Sequence, residues 1–263
     1  MFNRDNYINS PIEIEAELLL LFQKEKVKTV FDIGACEAED SIRYSILFPK
    51  STVYAFEPRK DNIAIGEASI QKYKRNNIVL ENIALSNENG TAEFFLSEGQ
   101  PKDASIELEW DFGNKSSSLL PPTEEMKKHT SWLQFNTRIV VETMRLDTYV
   151  KNKKIDAIDF VHIDVQGAEL LVLEGAGDFL KNVKVIWMEV EAVELYKGQP
   201  LKTDVEIFMK KNNFVNVLDT VNEVAGDQLY VNSNHFSNED ILKIKSTKNK
   251  TGIVAKIKSY FNS

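Results

Sequence analysis

The chain has 263 residues, 40 acidic and 32 basic side chains and a formal net charge of −8, with 43% hydrophobic and 10% aromatic residues. That is enough apolar material for a large buried core, so general disorder is excluded, and the acidic balance argues against a dedicated duplex-DNA binder, which carries a basic face. No apolar run approaches the roughly 20 residues of a membrane span.

The N-terminus carries acids where an export signal needs an apolar stretch. A single cysteine, Cys36, cannot form an internal disulfide and fits a reducing cytoplasm. Ser10-Pro11 reads as an N-cap followed by proline at the first helical position, which predicts a helix to about Lys26. Residues 27–33 (VKTVFDI) form a β-branched and aromatic run, a buried strand. Helix follows over 37–48, stopped by Pro49; 52–56 (TVYAF) is a second strand, 60–74 a second helix and 78–83 a third strand. Asn87 to Gly90 is turn chemistry, and 91–96 resumes extended.

From 97 to 136 the pattern fails. This stretch is polar, with Gly99, Gly113, Pro121-Pro122 and three serines at 116–118; a loop this long in a compact domain is usually functional or mobile. Periodicity returns with strands at 138–143 and 158–163 (IDFVHI), a helix over 168–180, a strand over 183–190 (VKVIWMEV), a helix over 203–212, and strands at 214–218 and 228–231. Alternation of this kind predicts an α/β fold: a single Rossmann-like domain, a seven-stranded and mostly parallel sheet with helices on both faces and the last strand antiparallel. The expected organisation is a helical extension over 1–26, the domain proper over 27–236 with 97–137 inserted as a lid-like segment, and a basic helical tail over 237–263.

In such sheets ligands bind beyond the carboxyl ends of the strands. The first strand ends in Asp32-Ile33-Gly34-Ala35, and Gly34 allows a tight turn and close approach to a ligand. The second ends in Phe56-Glu57-Pro58, and an acid about 20 residues past the first turn can accept hydrogen bonds from both ribose hydroxyls of a nucleoside. A dinucleotide site would want three glycines and a helix N-terminus open to pyrophosphate. Here the loop continues Glu37-Ala38-Glu39-Asp40, whose acids would repel a diphosphate; a cationic ligand bearing a ribose suits it better, and S-adenosylmethionine is one. The bland alternative is a helix cap at Asp32 and a surface charge at Glu57.

With those residues in place, the sequence resembles the FkbM-type methyltransferases, a branch of the class I S-adenosylmethionine-dependent fold. The resemblance runs from about Val30 to Val231 and rests on ordered segments: VFDIGA (30–35), AFEP (55–58), ENIALSNENG (81–90), RLDTYV (145–150), IDFVHIDVQGAELLVLEGA (158–176), MEVE (188–191) and GDQLYVN (226–232). It implies cofactor contacts from Asp32, Gly34, Ala35, Glu37, Ser41, Glu57, Pro58, Asn82, Ala84 and Asp164, with Asp32 and Gly34 at the methionine, Glu57 at the ribose, and Asn82 and Ala84 near the adenine. Two departures stand out: Ala38 where the family usually has glycine, and Cys36 where asparagine is common.

Family members commonly methylate hydroxyls, often on sugars, so a sugar or nucleotide-sugar for surface polysaccharide is the expected acceptor. A sugar hydroxyl is a weak acid and calls for a base or a metal. Asp164, Glu189 and His129 are the candidate catalytic residues. Asp164, Glu189 and Glu191 resemble the metal-binding acids of catechol-type methyltransferases, and oxygen ligands alone would suit Mg²⁺ or Mn²⁺; their alternative is hydrogen bonding to loops or substrate. His162, two residues before Asp164 on one strand face, reads as a satisfied core group, and His235 as a bystander. Ser116, Ser117, Ser118, Trp110 and Trp132 are candidate acceptor contacts, with Glu194, Tyr196 and Lys197 behind them. The polar-Pro-Pro-aromatic tetrapeptide of nucleic-acid N-methyltransferases is replaced by Asp164-Val165-Gln166-Gly167, so no nucleic-acid partner is expected.

The competing readings are a NAD-dependent oxidoreductase and a methyltransferase fold that has lost catalysis and serves as an assembly partner, which Cys36 and Ala38 keep alive. The tail from Lys243 on has six lysines and no acids. It reads as a helix packed on the body or on a second copy, or as a peripheral membrane contact.

Overall fold

A computed structural model describes residues 3–101 and 111–247. The main sheet has seven strands: β1 (Thr29–Ile33), β2 (Thr52–Phe56), β3 (Ile78–Glu81), β7 (Ile158–Ile163), β8 (Val183–Glu191), β9 (Phe214–Asp219) and β10 (Ala225–Asn232). Their spatial order is β3-β2-β1-β7-β8-β10-β9. β10 is antiparallel to both its neighbours, and the pairs from β3 to β8 are parallel. The expected α/β fold, strand content and antiparallel last strand are all present.

Period-two alternation distributes the strand side chains between two cores. Phe31, Val161 and Ile186 face one, covered by α6 (Leu146–Lys153), α7 (Glu169–Gly175) and α8 (Lys202–Lys211). Val30, Phe160 and Val185 face the other, covered by α2 (Glu15–Leu21), α3 (Glu39–Leu47) and α9 (Asn238–Thr247). Each fully buried large side chain contributes about 1.5–3 kcal/mol, so both layers hold the helices on the sheet. α4 (Lys60–Lys72) follows β2.

Three features depart from the sequence reading. The N-terminal helix over 11–26 is instead α1 (Arg4–Ile8) and α2, with a 3-10 turn at Lys24–Lys26. Pro11 starts no helix: its carbonyl accepts the Arg43 guanidinium (2.6 Å), while Ile12 and Ile14 beside it enter the core. Second, β4 (Ala84–Ser86), β5 (Gly90–Glu98) and β6 (Gln134–Arg145) form a separate sheet in the order β4-β6-β5. Third, the irregular stretch holds a 3-10 turn at Gly113–Ser116 and a short helix α5 (Glu124–His129). Its middle is pinned by backbone bonds between Phe95 and Ser118 and by a bridge between Pro122 and Tyr196.

Trp110 and the tail beyond 247 lie outside the described residues; before that point Ile241 and Ile244 of α9 are buried. Among the described residues no helix is long and apolar enough to cross a membrane.

Candidate active site

The parallel register assembles the site. Ile33 stands beside Phe56 and Ile163, Phe56 beside Glu81, and Ile163 beside Met188. One residue further along each strand lie Asn82, Glu57, Gly34, Asp164 and Glu189, a row along one sheet edge. Above it opens a cleft of about 520 Å³, open solvent included, walled by Gly34, Cys36, Phe56, Glu57, Ala84, Leu85, Phe94 and Asp164 and by Asn114, Lys115 and Ser117 of the inserted stretch.

Gly34 has φ +87°, and a Cβ there would sit 1.8 Å from the Asp164 carbonyl oxygen. The glycine is thus required by its own neighbouring strand end, before any ligand arrives. The amides of Gly34 and Ala35 both donate to the Phe56 carbonyl (3.0 Å each), which draws the loop onto β2. Cys36 (φ 47°) and Ala38 (φ 64°) are left-handed, so the loop keeps a conformation suited to glycine without having it.

Glu57 faces the cleft and is 5% exposed. Its carboxyl accepts the amides of Cys36 (3.0 Å) and Arg59 (2.7 Å). Burial pushes its pKa up to about 8, against the pull of those two donors. Asn82 donates to the carbonyls of Glu57 (3.0 Å) and Pro58 (2.9 Å), so it braces the turn rather than lining the cleft.

Asp32 points away from the cleft. It accepts from Ser41 Oγ (2.5 Å) and pairs with His162 Nδ1 (2.9 Å). Burial alone would lower the His162 pKa, but the Asp32 hydrogen bond and charge outweigh it and raise it to about 9. Asp32 and Ser41 therefore support the floor of the loop, and His162 is the satisfied core group the sequence suggests.

The loop acids were expected to face a cationic ligand; the structure turns them elsewhere. Glu37 accepts from Asn114 (2.8 Å) and from Arg4 of α1; Glu39 pairs with Arg4 (3.2 Å) and Lys115 (3.6 Å); Asp40 with Arg43 (2.8 Å) and Tyr7 (3.0 Å). Their charge is met by protein cations, so the sign of that loop carries no information about the ligand.

Asp164 Oδ1 and Glu189 Oε2 both accept from Nε2 of Gln166, at 2.7 and 2.5 Å. Glu191 is 2% exposed and does not reach the cleft; burial, with the charges of Glu169 and Asp164, drives its pKa well up and favours the neutral acid. An amide between two acids and a third acid held neutral do not make a cation cage, and among the described residues no three His, Cys, Asp or Glu groups converge to hold a metal. The expected Mg²⁺ or Mn²⁺ set does not fit this arrangement.

His129 sits on α5, against Glu125 (3.3 Å), and does not line the cleft, so it is misplaced as a base. Ser117, on the cleft wall, has its Oγ occupied by the Ser97 amide, and Ser118 Oγ donates to the Gln166 carbonyl. Trp132 packs against the cluster of Met126, Leu133 and Tyr196, and Tyr196 is fully buried. Glu194 accepts the Gly198 amide (2.7 Å). Gln166, Asn114, Lys115 and Arg4 are among the residues that sequence reasoning missed, as are the cleft-wall side chains of Phe56, Leu85 and Phe94. For the first, the signal was a non-glycine residue preceding Gly167 in a strand-end loop; for the others there was none.

A family model described as Methyltransferase FkbM domain matches residues 32–215. The 2-O-methyltransferase NoeI of Sinorhizobium fredii (strain NBRC 101917 / NGR234) is 30% identical over 225 residues, 85% of this chain and 87% of that protein. Among solved structures, an rRNA methylase from Streptococcus thermophilus is 13% identical at a TM-score of 0.46, over 86% of this chain and 98% of its own. TrmK from M. capricolum, in complex with S-adenosyl-homocysteine, is 13% identical at a TM-score of 0.43, over 88% of this chain and 74% of its own.

Proposed function

Because the chain belongs to the methyltransferase FkbM domain family, and is thereby an S-adenosylmethionine-dependent methyltransferase, we propose that it methylates a hydroxyl oxygen of a small molecule. The acceptor is a sugar or nucleotide-sugar for surface polysaccharide, handled in the cytoplasm. The domain over 27–236 does the chemistry, with 97–137 as its acceptor-side cover and 1–26 as a brace.

The observation that carries this reading is the strand-end row, in which Glu57 and Asp164 open into one cleft. Glu57 suits a ribose, since its two oxygens are oriented by backbone amides on either side. Phe56, Ala84, Leu85 and Phe94 give apolar walls for an adenine ring. When bound, the cofactor supplies an electrophilic methyl on a sulfonium, so the protein's main task is alignment. Asp164 holds one carboxylate oxygen on Gln166 and turns the other to the acceptor, where it takes the hydroxyl proton as a general base. The 2-O-methyltransferase name of the relative at 30% identity supports oxygen as the target.

Transfer of labelled methyl to a panel of nucleotide-sugars and free glycosides tests this, with the methylated atom located by NMR. A methyl ether is expected, at a rate unchanged by chelator. Methylation at nitrogen or carbon, or turnover that stops in chelator and returns with Mg²⁺, contradicts it.

A further inference from the structure

Gln166 lies where three separate parts of the chain meet. Its Nε2 donates to Asp164 at the end of β7 (2.7 Å) and to Glu189 near the end of β8 (2.5 Å). Its Oε1 accepts the hydroxyl of Tyr196 (2.9 Å), which also lies 2.8 Å from the Ser116 carbonyl of the inserted stretch. Its own carbonyl accepts Ser118 Oγ (2.7 Å), and that oxygen in turn accepts the Leu120 amide (3.0 Å). Gln166 holds φ 57°, a left-handed conformation that side-chain-bearing residues avoid, and Gly167 follows at φ 91°. A Cβ on Gly167 would stand 3.1 Å from the Tyr196 ring, so the ring is seated against this peptide. Strained backbone of this kind persists where the surroundings over-determine it.

We infer that Gln166 is a positioning residue for the reaction, and that with Tyr196 it forms a latch through which residues 113–118 set the Asp164 and Glu189 carboxylates. The inference rests on the reading of Asp164 as the base. A carboxamide NH₂ can only donate. Placed between two carboxylates that would otherwise repel, it offers each a hydrogen bond and lets both remain acceptors. Its carbonyl end is spent on Tyr196, which fixes which end faces the acids. If 113–118 moves away, the Ser116 carbonyl and the Ser118 hydroxyl leave with it. Tyr196 then loses the Ser116 contact that fixes its hydroxyl, and the Gln166 peptide loses the Ser118 hydroxyl that fixes its backbone. Covering the acceptor and orienting the base are one event.

The test uses the full chain with Gln166→Glu, Gln166→Ala and Tyr196→Phe. Gln166→Glu keeps an oxygen for Tyr196 but removes both donors. It is expected to lower kcat at least 100-fold, with acceptor KM and S-adenosylhomocysteine affinity within threefold of wild type, and to shift the side-chain carboxyl carbon resonances of Asp164 and Glu189. Tyr196→Phe and Gln166→Ala are expected to speed hydrogen exchange at the Ser118 and Leu120 amides at least tenfold, whereas Gln166→Glu leaves it within threefold. Wild-type turnover and unmoved carboxyl resonances in Gln166→Glu would overturn the positioning role. Unchanged exchange in Tyr196→Phe would overturn the latch. If wild-type protein methylates no hydroxyl while the resonance and exchange changes appear, the proposed reaction fails and the positioning network stands.

Discussion

Burial sets the protonation of Glu57, the proposed ribose contact. Its pKa in the fold, about 8, lies above the unfolded value of 4.5, so the native state keeps a proton that the unfolded chain has lost. Stability therefore falls as pH rises from 4.5 toward 8 and levels off above. Glu169, raised by burial to about 7, acts with the same sign. Ribose hydroxyls donate best to the ionised form, so binding a nucleoside ligand expels the proton. S-adenosylhomocysteine is expected to bind tighter at pH 8.5 than at pH 6.5 by roughly tenfold or more. Calorimetry in two buffers of different ionisation enthalpy should show proton release at pH 7 that disappears in Glu57→Gln. Beside Glu57, Ala38 keeps its left-handed φ of 64° although such a residue costs about 1–2 kcal/mol there. Cys36 and Ala38 thus both take left-handed backbone in this loop although neither is glycine.

At the scale of elements, α1 is what holds that loop in place. Arg4 bonds both Glu37 and Glu39, Tyr7 bonds Asp40, and the Arg43 guanidinium stacks 4.2 Å over the Tyr7 ring. Asp5 ties the same helix to Lys72 (2.6 Å) and Tyr73 (2.5 Å) at the end of α4. Removing Arg4 leaves two mostly buried acids side by side, with Lys115 as the remaining cation near Glu39. Arg4→Ala is expected to cost about 1–2 kcal/mol in urea unfolding and to weaken S-adenosylhomocysteine several-fold through the loop. An unchanged midpoint with unchanged affinity would show that α1 is only a passive cover.

Across the whole molecule, the main sheet was legible because its strands are short β-branched runs ending in acids, and the parallel register places those ends in one row. That is why the strand-end positions of Gly34, Glu57 and Asp164 could be read from sequence; the oxidoreductase alternative falls with the family match. What stayed hidden was side-chain pairing across long separations: Arg4 with Glu37, Glu37 with Asn114, and Gln166 with Tyr196. Periodicity reports which face a residue takes, not which distant polar group meets it. The same gap explains His129, which lies away from the cleft, 3.3 Å from Glu125 on its own helix turn. The small sheet was also missed as a unit: β5 and β6 pair over a mixture of polar and apolar residues, and Val140 among them is 71% exposed.

The most direct test of the account is calorimetric titration of S-adenosylhomocysteine into the purified protein, with Glu57→Ala beside it. Micromolar one-to-one binding is expected, needing no divalent ion and lost by at least 100-fold in Glu57→Ala, with the variant still folded by circular dichroism. Binding that survives the Glu57 change, or no binding to the wild-type chain, would contradict the site described.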